Sequence, residues 1–136
     1  MILADTSAWV EYDRATGSPA DQRLAHLLAR PRDLAVTEPV VMEVSAGARD
    51  DGRERDLLDL LARAVLIPFD PAADFHAAAR IYRRCRASGV TPRGMIDCMI
   101  VAVAARAPAT VLAHDADLIR VARVIDVPID HGSLRL

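Results

Sequence analysis

The sequence predicts an α/β fold in which about five short strands form a parallel sheet covered on both faces. Three observations carry this reading. Apolar runs of only three or four residues recur along the chain, amphipathic stripes of leucine and alanine alternate with them, and proline, glycine or aspartate marks nearly every junction. A length of 136 residues fits one domain with a real core, and no repeat, low-complexity stretch or long linker divides it.

The elements follow in order. Ile2-Leu3-Ala4 is an apolar run ending on Asp5, as a buried first strand would. Trp9 and Tyr12 follow at helical spacing, suited to the core or to a partner surface. Ser18-Pro19 supplies an N-cap and a proline at the first helical position; Leu24, Leu27 and Leu28 form the stripe, and Pro31 ends it. Leu34-Ala35-Val36 reads as a second strand, and Glu38-Pro39 opens a helix that Gly47 helps to close. Asp50 to Ala64 is a further helix, and Val65-Leu66-Ile67 a third strand. Pro71 to Ser88 is a long helix closed by Gly89, and Thr91-Pro92 opens another that runs to about Arg106. Thr110 to Ala113 is a fourth strand, Leu118 to Val124 a short helix, and Val127-Pro128-Ile129 a last strand.

Composition removes several function classes. All 17 basic residues are arginine, which excludes lysine Schiff-base chemistry and the lysine-dependent phosphate loop. It also counts against receiver domains and dehalogenase-type phosphatases, whose acidic sites usually include a lysine. The acids are 15 Asp and 4 Glu, a balance suited to caps, turns and metal sites. Cys85 and Cys98 cannot form a disulfide framework, and the N-terminus lacks a basic leader. The longest uncharged apolar run, Cys98 to Ala105, is too short for a bilayer. The expectation is a cytoplasmic protein without a membrane span.

Four acids stand in apolar surroundings. Asp5 ends the first strand, Glu43 sits within Val40-Val41-Met42-Glu43-Val44, Asp97 lies within Met95 to Val101, and Asp115 ends the fourth strand with Asp117 two residues on. Alone, each has an ordinary explanation: Asp5 or Asp115 as a turn or cap, Asp117 as an N-cap, Glu43 as a side chain reaching solvent. Asp97 is the hardest to explain so. Ligands of open parallel sheets bind at the carboxyl ends of the strands, where all four would converge. Gathered carboxylates repel and raise one another's pKa, so protons or cations must relieve them. Mg²⁺, with Mn²⁺ as the alternative, suits an all-oxygen site and phosphoryl chemistry.

At these residues the sequence resembles a PIN domain, and more closely a VapC-type toxin of the bacterial toxin–antitoxin class. The likeness spans essentially the whole chain and rests on the order of Asp5-Thr6-Ser7, Glu43, Asp97-Cys98-Met99-Ile100-Val101-Ala102 and Asp115-x-Asp117. It implies a compact three-layer α/β/α sandwich around a short, mostly parallel sheet, and a metal-dependent ribonuclease held inactive by a cognate antitoxin. By position, Asp5, Glu43, Asp97 and Asp115 match the acidic quartet, Asp117 a frequent fifth acid, and Ser7, with Thr6 beside it, the polar support of the site. His114 and Leu118 replace the family's usual neighbours of the fourth acid, so Asp115 and Asp117 both stand as candidate ligands. His114 itself reads as a neutral structural residue. The antitoxin would lay an apolar helix over a groove and point a cation at the acids, and homodimers are usual.

The resemblance implies RNA phosphodiester hydrolysis; Asp5 and Asp97 read as the most direct ligands, with Glu43 and Asp115 ligating through water or orienting the attacking water. A net charge of −2 speaks against a generic nucleic-acid binder. Yet no acid interrupts Phe75 to Ile96, where Arg80, Arg83, Arg84, Arg86 and Arg93 make a candidate RNA cradle, the plain alternative being a solvated helix face. Five aromatic residues are too few for base stacking to dominate. Two other readings compete: an inactive PIN-like module that docks RNA or protein, and another Mg²⁺-dependent phosphohydrolase. Gathered negative charge argues against the first. Asp5-Thr6-Ser7 lacks the Asp-x-Asp that a phosphoaspartate enzyme would need, which argues against the second.

Overall fold

The computed structural model describes residues 1–136. The strands are β1 (Ile2–Ala4), β2 (Leu34–Val36), β3 (Val65–Leu66) and β4 (Thr110–Leu112), arranged β3-β2-β1-β4 with every pairing parallel. The helices are α1 (Thr6–Asp13), α2 (Pro19–Leu28), α3 (Glu38–Ala46), α4 (Asp51–Leu61), α5 (Pro71–Ala87), α6 (Met95–Arg106) and α7 (Ala116–Val124). No helix is long and apolar enough to cross a membrane.

β1 is an inner strand with partners on both sides, in register Leu3 to Ala35 and Leu3 to Val111. Successive strand residues face opposite sides of a sheet. Leu3 and Ala4 are both fully buried, as are Val111 and Leu112, so both faces are covered. Helices α1 to α4 pack among themselves as one group and α5 to α7 as another, with α3 touching α6. The exposed Val65 and Leu66 belong to the edge strand.

The sequence reading needs four amendments. The fifth strand does not form: Val127–Ile129 contributes one parallel bridge, Ile129 to Val111. Pro128 has no N–H to extend a ladder. Instead the segment clips onto β4, with Val111 N–H donating to Pro128 O at 2.9 Å, Asp130 N–H to Val111 O at 2.8 Å and Leu134 N–H to Ala113 O at 2.9 Å. Helix α1 is an additional element, started by Asp5 as its N-cap. Helix α6 begins at Met95 after Gly94 rather than at Thr91-Pro92, and α7 begins two residues earlier than expected because Asp115 caps it.

Two bidentate ion pairs fasten the chain. Arg106, at the end of α6, holds the buried Asp74 in the first turn of α5, which fixes those two helices antiparallel. Arg23 of α2 grips Asp130 through Nε at 3.0 Å and a terminal nitrogen at 3.1 Å, and Gly132 N–H donates to the same carboxylate at 2.9 Å. Burial pushes the Asp130 carboxyl up, but Arg23 and the Gly132 N–H together hold it below the usual carboxylate range. Removing one partner of a buried pair strands the other charge. Arg23→Met is therefore expected to lower unfolding stability by about 3 kcal/mol near neutral pH. Because the native pKa of Asp130 is depressed, that deficit shrinks as pH falls through the carboxylate range, which denaturant titrations at two pH values would show.

Candidate active site

The carboxyl ends of β1 and β4 adjoin, since the Asp5 N–H donates to Leu112 O at 2.9 Å. Directly after β1 the chain turns into α1. The Asp5 carbonyl accepts from Ala8 and Trp9, and its Oδ2 accepts from the Ser7 N–H at 3.2 Å and the Ser7 hydroxyl at 2.7 Å. This is ordinary N-cap chemistry, yet it buries a carboxylate to 3% exposure. Ser7 Oγ also accepts the His114 N–H at 2.8 Å. One hydroxyl thus ties the exit of β4 to the first acid.

The other acids arrive from three helices. Glu43, in the middle of α3, accepts the Thr6 hydroxyl at 2.6 Å. Asp97 lies in the first turn of α6 and is half-buried. Asp115 caps α7, its Oδ1 accepting the Asp117 N–H at 3.2 Å, while its Oδ2 takes a terminal nitrogen of Arg93 at 2.9 Å. Asp117 Oδ2 lies 3.3 Å from Arg93 Nε, and its Oδ1 lies 3.5 Å from Arg120.

The electrostatics show that four of these acids form one cluster. Burial pushes Asp5 up to about 6, against the Ser7 hydrogen bonds and with the Glu43 charge adding to it. Burial also pushes Asp97 up to about 7, reinforced by the charges of Asp5, Asp115 and Glu43 and opposed by Arg93. Asp97 therefore feels all three other members of the quartet. Carboxylates so placed take a proton near neutrality unless a cation replaces it.

The donor set fits a hard divalent cation: oxygen donors only, mutually repelling, at the edge where the strands end. As the side chains stand, no three acidic, imidazole or thiol groups are posed to ligate one ion. Thr6 holds Glu43, Ser7 holds Asp5, and Arg93 spans Asp115 and Asp117.

The arginines expected to form a cradle separate. Arg93 stands on the acids. Arg80 and Arg84 line a shallow apolar cleft with Ala77, Ile81, Ala102 and Ile125, and the Arg86 guanidinium lies 6.0 Å from the Tyr82 ring centre. Arg83 is exposed. Because α5 and α6 are antiparallel, the last turns of α5 lie at the same end of the molecule as Asp97. His114 points its Nε2 to within 3.4 Å of Glu11, and its Nδ1 is buried without a partner. A groove of about 680 Å³ opens beside Glu43, lined by Trp9, Val10, Val44 and Leu57 together with the charged Asp13, Arg14, Arg49, Arg53 and Asp56.

Sequence reasoning missed two contacts that order the site, the Thr6–Glu43 hydrogen bond and the Arg93 fork. The first joins residues 37 apart in sequence, and no local pattern signals it. The second left only a hint, since Arg93 lies four residues before Asp97 in the sequence.

Comparison with known proteins identifies the family. The family model described as PIN domain matches residues 2–124. The chain is 44% identical over 128 residues to the VapC ribonuclease Mb1587 of Mycobacterium bovis, covering 93% of this chain and 96% of that protein. It is equally similar to ribonuclease VapC11 of Mycobacterium tuberculosis, 44% over 128 residues with 93% and 96% covered. Among solved structures, VapBC2 from Rickettsia felis, bound to a DNA fragment from its promoter, aligns with a TM-score of 0.75 at 17% identity, covering 99% of this chain and all of the other. That last likeness shows the fold alone. By the family model and these relatives, the chain belongs to the PIN-domain family, in its VapC group.

Proposed function

We propose that the chain is a divalent-metal-dependent endoribonuclease, the toxin of a toxin–antitoxin pair, using Mg²⁺ or Mn²⁺. One observation carries the reading: Asp97 is half-buried, and the charges of Asp5, Asp115 and Glu43 act on it with only Arg93 opposing them. Similarity to VapC ribonucleases supports RNA as the substrate. The cation, when bound, would activate water and neutralise charge on the scissile phosphate.

The residues divide the work. Asp5 and Asp97, the two acids most displaced from ordinary behaviour, would hold the cation directly. Asp115 is the better fourth ligand than Asp117, because it is Asp115 whose charge acts on Asp97. Glu43, steadied by Thr6, would orient the attacking water, and Ser7 fixes which Asp5 oxygen faces the cluster. Arg83 and Arg84, on the last turns of α5, would hold RNA phosphates beside the acids. The groove that Glu43 lines would receive the antitoxin, with a basic side chain of that partner on Glu43.

Three outcomes test this reading. Purified protein incubated with total RNA and Mn²⁺ should give discrete fragments that EDTA abolishes, and Asp5→Ala or Asp97→Asn should slow cleavage at least about 100-fold. Identical fragment patterns from wild type and both variants would remove the nuclease assignment. Arg83→Glu with Arg84→Glu should raise the KM for a structured RNA while leaving Mn²⁺ affinity unchanged; an unaltered KM would end the cradle. The third outcome is a pH effect. Native Asp5 and Asp97 titrate at about 6 and about 7, above the ordinary 3.8, so the folded state binds more protons than the unfolded one between those limits. Metal-free stability should then fall as pH rises through that window. Asp97→Asn should be more stable than wild type at pH 8 by about 1–3 kcal/mol, an advantage that fades toward pH 4 in thermal melts.

A further inference from the structure

We infer that Arg93 is a tethered counter-ion that guards the acid cluster when no metal is bound and, once displaced, becomes a phosphate ligand for the substrate; this rests on the metal-dependent reading above. The placement of its two contacts carries the argument. One carboxylate oxygen of Asp115 is already committed, since Oδ1 takes the Asp117 N–H that starts α7. The other oxygen, Oδ2, has Arg93 as its partner at 2.9 Å. The same guanidinium reaches Asp117 Oδ2 at 3.3 Å through Nε, so its fork lies across the two acids that compete for the role of fourth ligand. The oxygen of Asp115 that is free for ligation is therefore the one Arg93 covers.

The tether suits a removable guard. Pro92 is buried and anchors the backbone, while Gly94 is extended with open space beside it. The Arg93 side chain is 67% exposed, so it can swing away without opening the core. Exposed ion pairs of this kind contribute little to stability, which makes the contact weak as a structural brace and easy to exchange. Asp117 keeps Arg120 as a partner at 3.5 Å when Arg93 leaves, whereas Asp115 Oδ2 keeps none. A doubly charged ion at the cluster would repel the guanidinium toward the solvent side, where an RNA phosphate offers the planar two-oxygen face that arginine binds best.

The test is Mn²⁺ titration of the full chain without RNA, by calorimetry and by loss of the free-ion resonance signal. Arg93→Met should bind Mn²⁺ about fivefold more tightly than wild type, as expected for losing two partly exposed ion pairs that compete with the ion. Arg120→Met, which removes a neighbouring charge from Asp117 alone, should stay within about twofold. In cleavage assays Arg93→Met should show a raised KM for RNA despite its tighter metal, and Arg93→Lys should restore only part of the loss. Unchanged or weaker Mn²⁺ binding by Arg93→Met overturns the guard, as does equal tightening by Arg120→Met. If wild type takes up no Mn²⁺ and Asp97→Asn behaves identically, the metal reading itself fails and the guard falls with it.

Discussion

The structure depends on a carboxylate at the end of an inner strand. Asp5 leaves β1 with pairing partners on both sides of the strand and covered faces above and below, so its side chain has nowhere to go but into the cap of α1 and the space beyond it. Burial of a charge is tolerated there because Ser7 donates twice to it, once from the backbone and once from the hydroxyl. The same hydroxyl accepts from His114, so the position of the first acid and the exit of β4 are one constraint. Everything else in the site is assembled around that fixed point.

From it follows a division between rigidity and strain. The fold is secured away from the site by Arg106 on Asp74 and Arg23 on Asp130, two pairs in which burial and arginine geometry satisfy each other. The acids at the sheet edge are served less well. Glu43 has a hydroxyl, Asp115 and Asp117 share an exposed arginine, and Asp97 has the charges of three other acids around it. That contrast, two satisfied buried pairs against an acid cluster with one exposed arginine, is what the proposed cation would answer.

Much of this was legible in the chain. The order of elements followed from apolar run length and punctuation, because three-residue apolar runs between capped helices leave few alternatives to a parallel sheet. Asp5, Asp97 and Asp115 stood out because acids in such apolar surroundings need a reason. The fifth strand failed for a local cause, the missing N–H of Pro128, and the start of α6 slipped because Gly94 rather than Thr91 ends the preceding loop. The arginine-rich stretch from Arg80 to Arg93 read as one basic arc, but a helix distributes successive residues around its axis, so Arg80 and Arg84 face a cleft while Arg93 lies on a loop over the acids.

The sequence by itself determined the fold class and the parallel sheet, and it singled out the acids proposed as ligands, since these follow from local periodicity, capping and the rarity of charge in apolar runs. Only the tertiary structure decided which oxygen each acid presents, that Thr6 serves Glu43, and that Arg93 covers Asp115 rather than solvent. Those contacts join residues tens of positions apart through side-chain geometry a few ångströms across, and no local pattern encodes a distance of that kind.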